Sequence, residues 1–413
     1  MKKLHQKLVS FLLLTIFIAF NHVPVLAWTP EEGLSANSAI LMDTMRGQIL
    51  YKKEANISLS PSIMCKLMTA LITIDRTQLN SKVTISKNAA GINGASLNLT
   101  VGNLYTVEDL LYGVMLTPGN DAAIALAEYA GDGDVNKFVG YMNEAAKKLG
   151  LHDTYFVNPT GLYDEKQYTS VSDIAKLIKS AIANPVFNTI FGSRGTAWID
   201  GKDSSILTNQ NKLFWSYNGI DGGKIGTNPK QGVIAVTTAS RDGRRLLAVV
   251  FDKDEDSALS QTTSLFDYGF TNFYNGLLVS KGIPLRTINV QDMDVNLISK
   301  IDVFYTYPIG RSFIKDIGFI KNEKLVLPLK TDVVAGVLKY ILEDGTEIDV
   351  DLYSNREVVA PQDYKSKIKT ILDENRDLVI IVSILIIIEF LLMFYYIIRF
   401  LFRLIKKMGH PEK

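Results

Sequence analysis

A serine and a lysine on one helix face suffice for acyl transfer, because the lysine amine can take the serine proton. Residues 60–69 read Ser-Pro-Ser-Ile-Met-Cys-Lys-Leu-Met-Thr, with Ser62 four positions before Lys66. The spacing that works at a helix start is Ser-x-x-Lys, and the residue three before Lys66 is Ile63. Positions four apart still share a helix face, so Ser62 is a displaced candidate nucleophile, rotated by roughly 100° from the three-residue position.

Residue counts exclude other chemistry. The chain has four histidines, and His5, His22 and His410 fall in terminal targeting segments. His152, just after an expected helix end, reads as a surface or capping residue. A Ser-His-Asp triad would have to use it, and a zinc site with two histidine ligands cannot be assembled in the body. Cys65 is the single cysteine, so no internal disulfide forms, and beside Lys66 it reads as a small buried hydrophobe. The acidic run at residues 252–256 reads as a solvated loop after a strand. No metal and no cofactor is expected.

Elements that position such a site follow from periodicity. Residues 38–43 and 47–51 are short apolar runs around a turn, and residues 232–240 and 245–251 form a second hairpin around Asp242-Gly243. Between them Phe138, Met142, Ala145 and Leu149 recur at helical spacing before Gly150, and a helix opens at Ser170 and is stopped by Asn184-Pro185. Hairpins at both ends with helices between them predict one antiparallel sheet covered by helices. From about residue 276 the pattern becomes strand-like.

The two ends carry targeting signals. Lys2, Lys3 and Lys7, an apolar stretch at 8–20 and Val25-Leu26-Ala27 read as a secretory leader over 1–27. Residues 378–398 are 21 apolar positions interrupted by Ser383 and Glu389, about 31 Å of helix at about 1.5 Å per residue. Arg399, Arg403, Lys406 and Lys407 follow this membrane span, which places the tail at 399–413 in the cytoplasm and the body outside. The expected organisation is a leader at 1–27, a mixed domain at 28–275, a small β domain at 276–362, a polar connector at 363–377, the span and the tail. With 44 Lys+Arg against 43 Asp+Glu and no basic block, nucleic acid is not an expected partner. Hydrophobic residues at 47% exclude wholesale disorder.

Six stretches in order carry a family resemblance: 38–51, Lys66-Leu-Met-Thr-Ala, Thr106-Val-Glu-Asp-Leu-Leu-Tyr, Gly119-Asn-Asp-Ala-Ala, Phe156-Val-Asn-Pro-Thr-Gly-Leu and Asp221-Gly-Gly-Lys-Ile-Gly. They resemble the serine D-alanyl-D-alanine carboxypeptidases, the low-molecular-mass penicillin-binding proteins of peptidase family S11. The resemblance implies an α/β fold of the α+β kind, a DD-peptidase/β-lactamase-like domain with an antiparallel sheet flanked by helices, then a small all-β domain and a membrane anchor. That family's three signatures are Ser-x-x-Lys, Ser-x-Asn and Lys-Thr-Gly. Here they read Ile63 to Lys66, Pro118-Gly119-Asn120 and Lys224-Ile225-Gly226, each without its hydroxyl.

By that resemblance Lys66 and Asn120 are the retained catalytic-motif members, with Ser62 as the displaced hydroxyl, and Lys224, Gly226, Thr227 and Arg245 are the substrate-binding residues. Isoleucine and proline supply no donor, acceptor or proton, and loss of a serine nucleophile lowers turnover on the order of 10⁶. The resemblance therefore implies a catalytically degenerate protein that binds peptidoglycan stem peptides ending in D-Ala-D-Ala, or a cell-wall protein. The competing readings are an active carboxypeptidase working through Ser62 and a structural ectodomain whose cleft is closed by Ile63 and Ile225.

Overall fold

A computed structural model of the chain describes residues 34–200, 203–228, 232–360 and 364–408. The expected leader at 1–27 lies outside the described residues, as does His410. The strands, in chain order, are β1 Ser38–Asp43, β2 Gln48–Lys53, β3 Lys82–Thr84, β4 Leu104–Thr106, β5 Gly195–Asp200, β6 Asp203–Thr208, β7 Ile220–Asn228, β8 Gly232–Arg241 and β9 Arg244–Asp252. They continue as β10 Phe273–Val279, β11 Pro284–Val290, β12 Met293–Ile298, β13 Val303–Pro308, β14 Ile314–Lys321, β15 Val334–Leu342 and β16 Glu347–Ser354. The helices are α1 Ser62–Arg76, α2 Lys87–Ala90, α3 Val107–Leu116, α4 Asn120–Ala130, α5 Val135–Lys148, α6 Val171–Ala181, α7 Pro185–Phe191, α8 Leu213–Ser216, α9 Glu255–Asn272, α10 Tyr364–Glu374 and α11 Arg376–Met408.

Contacts divide the chain into two units: one takes in the chain to Lys281 with Ile301–Ile320 and Val337–Val350, the other Gly282–Lys300, Lys321–Gly336 and the chain from Asp351. In the first, an antiparallel sheet runs β2-β1-β9-β8-β7. Its two faces follow the period of two. Ile40, Met42, Ile234, Val236, Leu247 and Val249 point into the larger core with α1, α3 and α4. Their neighbours Leu41, Val233, Ala235, Leu246, Ala248 and Val250 point to the opposite face, where Leu265 and Phe266 of α9 cover them. Each fully buried Val, Leu, Ile or Met side chain among them contributes roughly 1.5–3 kcal/mol.

Helix α1 is the centre of the larger core, with Ile63 through Thr73 all buried. A helix apolar on every side belongs inside a protein. Its neighbours start on side-chain caps: Thr106 and Asp109 form a capping box on α3, and the Ser170 hydroxyl accepts from Asp173 N at 3.2 Å on α6. Helix α5 ends at Lys148, with Gly150 in the left-handed region at φ +66°.

Three local expectations change. Asn184 and Pro185 do not only end a helix: Asn184 Oδ1 accepts from Val186 N at 2.9 Å, and Pro185 opens α7, where its missing N–H is no loss. The acidic run is not a loop, since Asp254 caps α9 by accepting from Ser257 N at 2.8 Å. The polar connector before the span contains the helix α10, and α11 continues past Ile398 to Met408.

The second unit holds the β11–β12 hairpin closed at Val290 and Met293, and Leu297 of β12 pairs with Ser354 of β16. Its last element, α11, is long and apolar enough over Arg376–Leu404 to cross a membrane.

Candidate active site

The sequence builds a cleft in the first unit from four segments. The start of α1 supplies Ser62, Ile63 and Lys66; the turn into α4 supplies Pro118 and Asn120; a loop gives Thr160, Gly161, Leu162 and Tyr163; and the edge strand β7 gives Lys224 to Asn228. Gly94 and Ala95 close the remaining side of a cavity of about 430 Å³.

Each wall has a local cause. Asn158 folds its loop by accepting from Thr160 N, Thr160 Oγ1 and Gly161 N at 3.2, 2.8 and 2.8 Å and donating to Leu162 O at 3.0 Å. Gly161 adopts φ +77°, and a Cβ there would fall 2.0 Å from Ser62 O, so only glycine lets this loop close on the start of α1. The turn offers the Thr160 carbonyl to Lys66 Nζ. On the opposite side Asp121, wholly buried, accepts from Leu97 N and Leu99 N at 3.0 Å each and from Ser96 Oγ at 2.5 Å. It thereby fixes the segment that follows Gly94 and Ala95.

Two lysines set the electrostatics. Lys66 and Lys224 are both buried, and among the described residues neither makes an ion pair with a carboxylate. Lys224 Nζ donates to Met115 O and Thr117 O at 3.1 and 3.0 Å, the unpaired carbonyls at the end of α3, where a cation complements the helix dipole. Burial pushes the Lys66 ammonium down to about 8. Burial, and then the charge of Lys66, hold Lys224 well below the usual lysine range. Two buried amines without an acid partner leave the cleft able to take an anion, whose charge would favour their protonated forms. Burial also pushes the Cys65 thiol up to about 12, and its Sγ faces Gln167, away from thiolate chemistry.

Ile63 occupies the floor. It is 3% exposed, and a Cβ built on Gly226 would lie 1.8 Å from its Cγ2. Ser62 is half-buried on the same cavity wall; its Oγ accepts from Ile63 N at 2.6 Å, and no hydrogen bond joins it to Lys66. Asn120 Nδ2 donates to Asn93 O at 3.0 Å.

Six of the seven residues singled out in the sequence therefore line one cavity: Ser62, Lys66, Asn120, Lys224, Gly226 and Thr227. Arg245 does not. Its guanidinium donates to Asp221 Oδ1, Asn188 Oδ1 and Thr238 Oγ1 at 3.1, 2.7 and 3.0 Å, tying β9 to the start of β7 and to α7. Ile225 lines the cavity from the edge strand, yet its side chain packs with Ala235 and Val233 in the layer under the sheet. Sequence reasoning gave no site role to the Thr160–Tyr163 loop, whose signal was the turn-forming Asn158-Pro159-Thr160-Gly161.

Residues 26–255 match the family described as D-alanyl-D-alanine carboxypeptidase, peptidase S11. The chain belongs to that family. A D-alanyl-D-alanine carboxypeptidase of Bacillus subtilis, DacF, is 31% identical over 270 residues, covering 64% of this chain and 69% of the relative. The D-alanyl-D-alanine carboxypeptidase of Streptomyces sp. strain K15 is 34% identical over 258 residues, 58% of this chain and 89% of its own. Among solved structures, penicillin-binding protein 5 from Haemophilus influenzae superposes with a TM-score of 0.66 at 27% identity, covering 79% of this chain and 98% of that one. The DD-peptidase-like architecture implied by the six stretches is thus the fold of this S11 chain.

Proposed function

We propose that this S11 chain binds the D-Ala-D-Ala terminus of peptidoglycan stem peptides without cleaving it. The observation that carries the reading is the pairing at the cleft floor: a side chain with no exchangeable proton, Ile63, stands three residues before a buried lysine that has no acid partner. A peptide laid along the free edge of β7 would extend the sheet by main-chain hydrogen bonds. Its terminal carboxylate would find the ammonium groups of Lys66 and Lys224 and the hydroxyl of Thr227. The basic residues Arg399, Arg403, Lys406 and Lys407 after the apolar run support a body on the outer face of the membrane, where such peptides are.

The test is direct. Detergent-solubilised full chain is incubated with a fluorescent penicillin and, separately, with a D-Ala-D-Ala-terminated pentapeptide. The reading expects no covalent adduct, no released D-Ala, and saturable binding of the peptide that is lost in Lys66→Met.

A second reading rests on Ser62, which lines the same cavity. If it acts as the nucleophile, the penicillin adduct forms and maps by mass spectrometry to Ser62. That result would replace the binding-only reading with an active serine-type carboxypeptidase.

A further inference from the structure

Within its apolar stretch helix α11 carries one carboxyl side chain that a hydrocarbon environment does not satisfy. The apolar stretch occupies residues 378–398, and Glu389 stands one residue from its midpoint. Ser383, the other polar interruption, is satisfied on its own helix by donating to Val379 O at 2.7 Å. Glu389 is exposed and has no hydrogen-bond or ion-pair partner among the described residues. A carboxyl at that depth is costly unless another protein group covers it.

The surroundings of Glu389 on the helix form a seam. At about 100° per residue, Val382, Leu385, Met393 and Tyr396 fall on its side, seven and four residues before it and four and seven after it. That is the spacing with which two spans pack side by side.

We propose that Glu389 joins α11 to the α11 of a second copy of this chain in a parallel pair. The occupant follows from depth and charge. Copies inserted in the same orientation bring their two Glu389 side chains to the same level with no offset. No Lys or Arg lies between residues 378 and 398 to serve as a counter-ion. The pair is therefore carboxyl to carboxyl, the O–H of one side chain donating to the C=O of the other across a two-fold axis. A partner of different sequence would need an amide or basic group at that level.

The proposal depends on α11 crossing a membrane and is independent of the cleft. The test uses the full chain fused after Lys413 to donor or acceptor fluorescent proteins, reconstituted in phosphatidylcholine vesicles over a range of protein-to-lipid ratios. Energy transfer is expected to rise with protein density and to be competed by unlabelled chain. Glu389→Leu should raise the density at half-association by about tenfold, while Glu389→Gln, which still donates and accepts, should stay within about threefold of the native chain. Met393→Trp on the seam should weaken the pair, and Leu391→Trp on the far side should not. Transfer no greater than random in the native chain, association of Glu389→Leu equal to native, or equal effects of the two tryptophans would each overturn it.

Discussion

Ile63 and Gly226 share one space at the cleft floor: the isoleucine Cγ2 lies where a side chain on residue 226 would begin, 1.8 Å from an ideal Cβ. The bulk of Ile63 at the start of α1 is accommodated because β7 offers no side chain there. Gly226→Ala should therefore destabilise by about 1–3 kcal/mol through overpacking. Adding Ile63→Ala should return part of that loss, giving a coupling that a urea-denaturation double-mutant cycle detects. Strictly additive effects would show that the two positions do not compete.

Hydroxyls can be introduced at the three positions held by Ile63, Pro118 and Ile225. Ile63→Ser, Pro118→Ser and Ile225→Thr together should recover acylation by fluorescent penicillin, because Lys66, Asn120 and Lys224 already line the cavity. Ile63→Ser alone should recover little: the new serine can lose its proton to Lys66, but the leaving group goes unprotonated and the donor is poorly held. A triple variant that folds by circular dichroism yet stays unlabelled would mean the cleft itself has diverged.

Much of this was legible in the sequence. The two hairpins, the capped helices and the apolar span followed from periods of two and 3.6 and from Ser, Thr, Gly and Pro at their ends. Ser62, Lys66, Asn120, Lys224, Gly226 and Thr227 do converge. That Arg245 stands apart from the cavity was not legible, because sequence spacing reports a residue's strand and not the partners of a long side chain, here Asp221 and Asn188. The burial of Ile225 under the sheet depends on the β7–β8 register, and the carbonyl that Thr160 gives Lys66 on loop closure between segments 94 residues apart in sequence, neither of which a local pattern encodes.

Asp121 ties the Ser96–Leu99 segment to α4 through two backbone N–H groups and one hydroxyl. Asp121→Ala leaves those donors without their buried acceptor and should cost about 3 kcal/mol or more. Because that segment follows Gly94 and Ala95 in the cavity wall, peptide affinity should fall as well. Stability measured by urea midpoint and affinity measured by calorimetry should both drop, and a native-like midpoint would refute the role given to Asp121.

Proton linkage gives Lys66 opposite effects on folding and on binding. Its ammonium is pushed from the ordinary lysine value of 10.5 down to about 8 by burial. Between those values the unfolded chain holds a proton that the folded chain has released, so stability from this group rises with pH across the window from about 8 to 10.5. Lys224 is shifted in the same direction and adds to the rise. The urea midpoint of the native chain should increase between pH 7.5 and pH 9.5 by more than that of Lys66→Met, those two pH values being chosen to bracket about 8. Binding runs the other way, since a carboxylate loses its charged partner as Lys66 deprotonates. Affinity for a D-Ala-D-Ala-terminated peptide should fall by about tenfold over the same pH step, the scale of one charged hydrogen bond. A pH-independent affinity in the native chain would remove Lys66 from the carboxylate site, whatever the stability curve showed.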